Sequence, residues 1–309
     1  MKDNKTNSRI VIPTYNRVND LIECIISLKA AGIIENQIIV VDNASQDDTS
    51  DIIKLRFPNI TLIRLKKNLG AAIASNVGFK YVLENVAEAD FILRLDSDTI
   101  FAPDSIAFLI KNAMNSNNVG VLGPKIYFFN NPKEIWYAGA DANPWHFGAI
   151  NTHVNELDSP ANSEIKSVDY VWGATMLIKR EVLQKTGGFD PDFFIYHEEI
   201  DFCRRVQSLG YKLLFIPDSH VWHKVGSSVN NAFTAYYWNR SKILLYRKHA
   251  KGVFHLSLLI FYALLYMIVD TVLFQTKLKK NSGNRGPLLH ALRGFYDGLR
   301  YPLSHKKEQ

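Results

Sequence analysis

Between Arg9 and Asp98 four short apolar runs alternate with segments long enough to form helices, and no other feature limits the possible folds as sharply. The runs are RIVIPTY (9–15), QIIVVDN (37–43), ITLIRL (60–65) and FILRLDSD (91–98); the intervening segments are 17–31, 47–57 and 71–84. Strand–helix alternation of this kind implies an α/β protein whose parallel sheet is covered on both faces. In such sheets ligands bind beyond the C-terminal ends of the strands. Three of the runs end in polar clusters, PTYNR, VDNAS and LDSDT, which marks that edge as the place to look for a site.

The middle of the chain, 120–170, is richer in Asn, Pro and Trp and reads as irregular β-structure and long loops beside the sheet. Residues 168–190 read as a strand, a turn and a helix closed by Gly187 and Gly188. With 47% hydrophobic and 21% charged residues, the 309-residue chain can bury a large core, which excludes a disordered or collagen-like protein. Cys24 and Cys203 are the only cysteines, too few for a zinc cluster, and the N-terminus lacks the apolar core of a signal peptide. A reducing cytoplasmic setting is expected. Charge is unevenly spread: residues 1–239 carry a net −4 and residues 240–309 a net +10. The expected partition is therefore an α/β domain over 1–239, in two parts near 8–100 and 168–239, followed by a basic, hydrophobic region over 240–309.

Asp96 and Asp98 follow a buried run, and alternation would point both carboxylates the same way. Two such oxygens suit Mg²⁺ or Mn²⁺, although an isolated Asp-x-Asp after a strand is more often a turn or a helix cap. Its neighbours strengthen the reading. Tyr15 and Arg17 offer an aromatic ring and a cation for a base and a phosphate, Asp42 offers an acceptor for a ribose or base, and NLGAAIASNVGF (68–79) opens a small-residue helix that lets backbone approach a ligand. Neither Gly-x-Gly-x-x-Gly nor a Walker motif occurs, so dinucleotide and P-loop chemistry are not supported.

The stretch FFIYHEEIDFCRR (193–205) holds three acids. On a helix, where each residue turns about 100°, Glu199 shares a face with Phe202, Cys203 and Val206, while Glu198 falls beside Asp201 and Arg205. Glu198 and Asp201 thus read as a solvated charged face with an Asp201–Arg205 pair. Glu199 reads as a carboxylate in apolar surroundings, the setting of a general base, with Glu198 as the alternative. Burial would raise its pKa and the helix N-terminus would lower it, so the net direction is open.

The motifs IPTYNR, VVDNASQDDT, NLGAAIASNVG, RLDSD, FFIYHEEIDFCRR and GYKLLFIPDSHVWH stand in the order seen in glycosyltransferase family 2, and the chain most resembles its bacterial rhamnosyltransferase-type branch over roughly 8–250. The resemblance implies a GT-A fold, a mostly parallel twisted sheet flanked by helices, and inverting transfer of a sugar, rhamnose in that branch, from a dTDP- or UDP-linked donor to a saccharide acceptor in cell-surface glycan assembly. It implies nucleotide-sugar contacts at Pro13, Tyr15, Arg17, Asp42, Asn68, Gly70, Asn76 and Asp96, metal ligation by Asp98 with Asp96 and His223, and an acceptor pocket bordered by Trp172 and Gly173. At the base position the family has Glu-Asp, and this chain has Glu198–Glu199. The Gln-x-x-Arg-Trp motif of processive synthases is absent, which implies addition of one or a few sugars.

Residues 253–274 are long enough to span a bilayer, yet His255 and Asp270 interrupt them, leaving an apolar stretch of 256–269. Arg247, Lys248 and Lys251 precede it and Lys277, Lys279 and Lys280 follow, so a single span would put one basic cluster on the wrong side. A re-entrant or interfacial helix, with a second one over 287–303, keeps both clusters at anionic headgroups. The expectation is a peripheral protein on the cytoplasmic face of the plasma membrane acting on a lipid-linked saccharide; a buried helix or a homodimer interface is the alternative. Nucleic acid is disfavoured, because the basic residues flank an apolar stretch. Two other functions compete: a nucleotidylyltransferase, which would need a Gly-rich N-terminal loop that is missing, and a non-catalytic sugar-binding protein, which would tolerate Glu199→Gln.

Overall fold

The computed structural model describes residues 7–143, 147, 149–151, 153–224, 231–278 and 286–303. The chain parts into two compact units. One is drawn from Met1–Ala142, Ala149–Asp190 and Glu199–Val225, the other from Asn143–Gly148, Pro191–Glu198 and Gly226–Gln309.

The first unit begins with the expected alternation: β1 (Ser8–Thr14), α1 (Val18–Ala30), β2 (Ile38–Asp42), α2 (Thr49–Arg56), β3 (Thr61–Arg64), α3 (Gly70–Asn85) and β4 (Phe91–Leu95). The four strands lie in the order β4-β1-β2-β3, all parallel. Burial explains their apolar composition: Ile10, Ile12, Val40, Leu93 and Leu95 have no exposed surface, and each such side chain contributes about 1.5–3 kcal/mol on burial.

The sheet then departs from the expected parallel form. After β5 (Thr99–Phe101) and α4 (Ser105–Met114) come β6 (Val119–Phe128), β7 (Ile135–Tyr137), the small pair β8 (Ala140–Ala142) and β9 (Ala149–Asn151), β10 (Lys166–Val168), β11 (Thr175–Lys179), α5 (Arg180–Thr186), α6 (Glu198–Ser208) and β12 (Lys212–His223). Strand β11 runs antiparallel between β4 and β6, and the sheet reads β10-β12-β6-β11-β4-β1-β2-β3 with β5 on β12 and β7 on β6. Among the described residues four pairings of this sheet are parallel and five antiparallel, so the sheet is mixed and not mostly parallel. Nor is the start of 120–170 irregular: β6 is a ten-residue, almost wholly buried interior strand. Its Pro124 reads as a breaker, but β12 shifts register between Ile216 and His220 opposite it, the kind of bulge at which a missing N–H is tolerated.

The second unit contains α7 (Asn231–His249), α8 (Val253–Leu278) and α9 (Gly286–Arg300). Gly294 and Gly298 let α9 approach the α7 backbone: a Cβ on Gly294 would collide with the Tyr236 carbonyl oxygen, and one on Gly298 would stand 2.8 Å from that of Arg240. The basic cluster ahead of α8 is not all turned outward, as expected from sequence. Lys248 is buried in an ion pair with Asp192, and Arg247 Nη1 donates to the carbonyls of Gly298 and Tyr301. Only Lys251 of that cluster is exposed; Lys279, Lys280 and the Lys277 side chain lie outside the described residues. Phe254, Leu258, Phe261 and Leu265 form an exposed apolar stripe along α8. Among the described residues no helix is long and apolar enough to cross a membrane.

Candidate active site

Strand β4 ends at Leu95, and the turn Asp96–Ser97–Asp98 leads into β5. Pairing of β5 with β12 sets His223 opposite Thr99 and so beside the two acids. His223 Nε2 lies 3.1 Å from Asp98 Oδ1 and 4.0 Å from Asp96 Oδ2. One ligand atom from each of the three residues falls within 4.8 Å of the others. Two carboxylates and an imidazole form a donor set that fits Mn²⁺ or Mg²⁺. Burial works against a charged His223, but the hydrogen bond to Asp98 and the charges of Asp98 and Asp96 outweigh it and hold the ring above its ordinary range. The edge of Trp136 packs on that ring at 4.7 Å between centroids, and half-buried Trp172 lies 5.7 Å beyond Trp136.

Arg17, at the entry to α1, joins this cluster: its Nη1 is 2.7 Å from Asp20 Oδ2 and 3.6 Å from Asp98 Oδ2. A second cation escaped the sequence reading. Arg94 is buried in the middle of β4, with Nη1 2.7 Å from Asp96 Oδ1 and donating to the Gly173 carbonyl, and with Nε 3.3 Å from Ser75 Oγ on α3. An arginine inside a five-residue apolar strand, two positions before an acid, was the available signal.

Gly173 connects the acidic turn with Glu199. A Cβ built there would lie 3.5 Å from Arg94 Nη1 and 3.5 Å from Glu199 Cβ, ordinary contact distances that put the three groups side by side. Glu199, with Phe202, Cys203 and Val206 on the same helical face, is buried as expected. Glu198 and Asp201 are not the solvated face that the wheel implies: they are 6% and 1% exposed. The Asp201–Arg205 pair does form, at 2.8 Å, but Arg205 also donates to the carbonyls of Thr186 and Gly188, which draws that face of α6 under the end of α5. Cys24 and Cys203 are buried and not joined in a disulfide, and burial pushes each thiol up to about 12.

The remaining donor-side residues divide. Tyr15 is 39% exposed at the end of β1, and Pro13 is half-buried within that strand. Asn43 and Asn68 clasp the start of α3: Asn43 Nδ2 donates to Asn68 Oδ1 at 2.9 Å, which also accepts from the Gly70 N–H at 2.9 Å. Gly70 itself has φ 86°, a conformation that favours glycine. Two of the residues expected at the ligand also hold local backbone or side chains. Asp42 has no exposed surface, because one oxygen accepts from the Ser45 N–H and the other from the Ser50 hydroxyl. Asn76 spends both ends of its amide on the Phe189 backbone, donating to the carbonyl at 2.7 Å and accepting from the N–H at 2.8 Å.

Residues 9–187 match the family described as Glycosyl transferase family 2. The dTDP-rhamnosyl transferase RfbF of Shigella flexneri is 27% identical over 316 residues, covering 96% of this chain and 99% of its own. The N-acetylglucosaminyl-diphospho-decaprenol L-rhamnosyltransferase of Mycobacterium tuberculosis is 25% identical over 239 residues, 69% of this chain and 75% of that protein. Among solved structures, the mannosyltransferase PcManGT of Pyrobaculum calidifontis with GDP-Man and Mn²⁺ aligns at TM-score 0.58 and 16% identity over 95% of this chain and 87% of that one. GalNAc-T7 with UDP, GalNAc and Mn²⁺ aligns at TM-score 0.58 and 18% identity over 79% of this chain, which spans 48% of GalNAc-T7. The fold is accordingly GT-A-like, and the family match sets the nucleotidylyltransferase alternative aside. Matched to the family over more than half of its length, the chain belongs to glycosyl transferase family 2 and is a hexosyltransferase.

Proposed function

We propose that this enzyme is an inverting, divalent-metal-dependent rhamnosyltransferase that draws on a dTDP- or UDP-linked donor and extends a lipid-linked saccharide. The observation that carries the mechanism is the line Asp96–Arg94–Gly173–Glu199, which sets a buried carboxylate beside a cluster suited to a divalent cation. The names of the two rhamnosyltransferase relatives support the sugar and the lipid-linked acceptor.

Asp96, Asp98 and His223 would hold the cation, whose role is to neutralise charge gathering on the departing nucleoside diphosphate. Arg17 adds a positive charge on the same side, and Tyr15 is the exposed ring at the strand end available to a base. Glu199 accepts the proton of the acceptor hydroxyl as its oxygen attacks the anomeric carbon from the face opposite the diphosphate, which inverts that carbon. Gly173 keeps the space beside Glu199 free of a side chain, and Trp172 walls the acceptor side. The exposed stripe Phe254, Leu258, Phe261 and Leu265 lies in the interface of the cytoplasmic leaflet, where a polyprenyl-linked acceptor is held.

The test is nucleoside diphosphate release from a panel of dTDP- and UDP-sugars, with a lipid-linked acceptor, with and without Mn²⁺ or Mg²⁺. Wild type should turn over only with metal. Glu199→Gln should lose about 10²–10⁴-fold in kcat while still binding donor. No release from any donor, or wild-type turnover by Glu199→Gln, refutes the reading. Phe254→Ser with Phe261→Ser should abolish flotation with anionic vesicles; unchanged flotation, or a dimer dispersed by the double variant, refutes the membrane assignment.

A further inference from the structure

The proposed base stands two residues after an unusual piece of backbone. Tyr196 and His197 both have positive φ, 68° and 64°, a conformation that side chains other than glycine seldom adopt even singly. Such a pair persists only where its surroundings over-determine it, and clusters of this kind are found at active sites. Here the surroundings are supplied by α7. Lys248 Nζ pairs with Asp192 Oδ2 at 2.6 Å, with the two side chains 9% and 4% exposed. Arg240 Nη2 donates to the Asp192 carbonyl at 3.2 Å, and the fully buried Ser241 hydroxyl donates to the Ile195 carbonyl at 2.8 Å. The Trp238 ring packs on both strained residues, at 5.5 Å from Tyr196 and 4.5 Å from His197. Burial pushes the His197 ring down to about 3, so it stays neutral beside the acids that follow.

We infer that α7 acts as a clamp on residues 192–197, and that Lys248, through Asp192, is a positioning residue for the general base. Glu198 is the first residue of α6 and Glu199 the second, so the direction in which the chain leaves His197 sets where the Glu199 carboxylate points. A buried ion pair suits this task better than apolar packing, because it has one geometry and is costly to leave half-made. The clamp bonds described hold 192–197, the segment leading to Glu199, and the loss of one should therefore affect proton removal without affecting the donor. The inference rests on the reading of Glu199 as base, and its test separates the two.

Lys248→Met, Lys248→Arg, Ser241→Ala and Glu199→Gln are compared with wild type for kcat, donor KM, donor binding and thermal unfolding. Lys248→Met should lower kcat about 10- to 100-fold, the usual effect of displacing a catalytic group by about 1 Å, with donor KM and binding within about twofold of wild type. Ser241→Ala should do the same to a smaller extent, and Lys248→Arg should recover part of the loss. Wild-type kcat in Lys248→Met with an inactive Glu199→Gln overturns the clamp alone, whereas an active Glu199→Gln overturns the base reading itself. A parallel fall of kcat and donor binding also overturns the clamp, since that is the mark of general structural damage. Should Lys248→Met prove insoluble, Ser241→Ala decides by the same criteria.

Discussion

Asn76→Ala distinguishes a ligand contact from a brace. The amide of Asn76 bridges α3 to Phe189 through bonds of 2.7 and 2.8 Å, and Phe189 in turn packs edge-on against Phe202 of α6 at 5.3 Å. Truncation leaves the Phe189 N–H and carbonyl without their partner. A buried group so stranded costs about 1–3 kcal/mol, and because both bonds are only part-buried, water recovers some of it; about 2–3 kcal/mol in total is expected. In a protein of 309 residues each kcal/mol moves the midpoint by about 1.5 °C, so Tm should fall by about 3–5 °C. The assay is calorimetric unfolding alongside donor KM measured well below the transition. A lowered Tm with donor KM within about twofold of wild type is the outcome for a brace. An unchanged Tm with a raised donor KM would refute the argument and return Asn76 to the donor site.

Two further perturbations probe the acidic cluster. His223 is held above its ordinary range, so its proton stabilises the metal-free fold below that range and the contribution is lost as pH rises through the folded-state value. Since ligation needs the neutral ring, Mn²⁺ affinity should climb with pH until that value is passed, and binding at pH 6 should release a proton, read by titration calorimetry in two buffers of different ionisation enthalpy. Proton-neutral binding at pH 6 would exclude His223 as a ligand. Arg94→Met should cost about 1–3 kcal/mol, less than a fully enclosed pair because the Asp96 side chain is 34% exposed, and should lower turnover more than Arg94→Lys does. Equal turnover in the two variants would show that the fork reaching Asp96 and Gly173 together is dispensable.

What could be read from the sequence follows the range of the interactions involved. Strands β1 to β4 were legible because burial on both faces imposes a local composition, and Asp96 and Asp98 because they are near neighbours in the chain. His223 was reachable only through the family motif, since its place beside Asp98 depends on the pairing of β12 with β5. The helical wheel identified Glu199 as inward-facing yet could not separate it from Glu198 and Asp201, because a wheel presumes that one face meets water. Arg205, reaching Thr186 and Gly188, removes that face. At Asp42 and Asn76 the sequence shows a polar residue near the ligand edge but not its backbone partner, which for Asn76 is 113 positions away.

A guanidinium in the centre of a strand is expensive to bury and tolerable only when its donors are matched, as those of Arg94 are by Asp96, Gly173 and Ser75. Those partners come from the acidic turn, the loop beside Glu199 and the helix α3, so the cost of burial is offset only when all three have assembled. The same requirement that makes Arg94 a poor strand residue makes it a check on the geometry of the site. It follows that Arg94→Met and Glu199→Gln should be non-additive in kcat: with the base gone, its alignment by Arg94 and Gly173 has nothing left to act on. Strict additivity in that double-variant cycle would mean that Arg94 serves the donor side alone, and that Gly173 is a neighbour of Glu199 without being its guide.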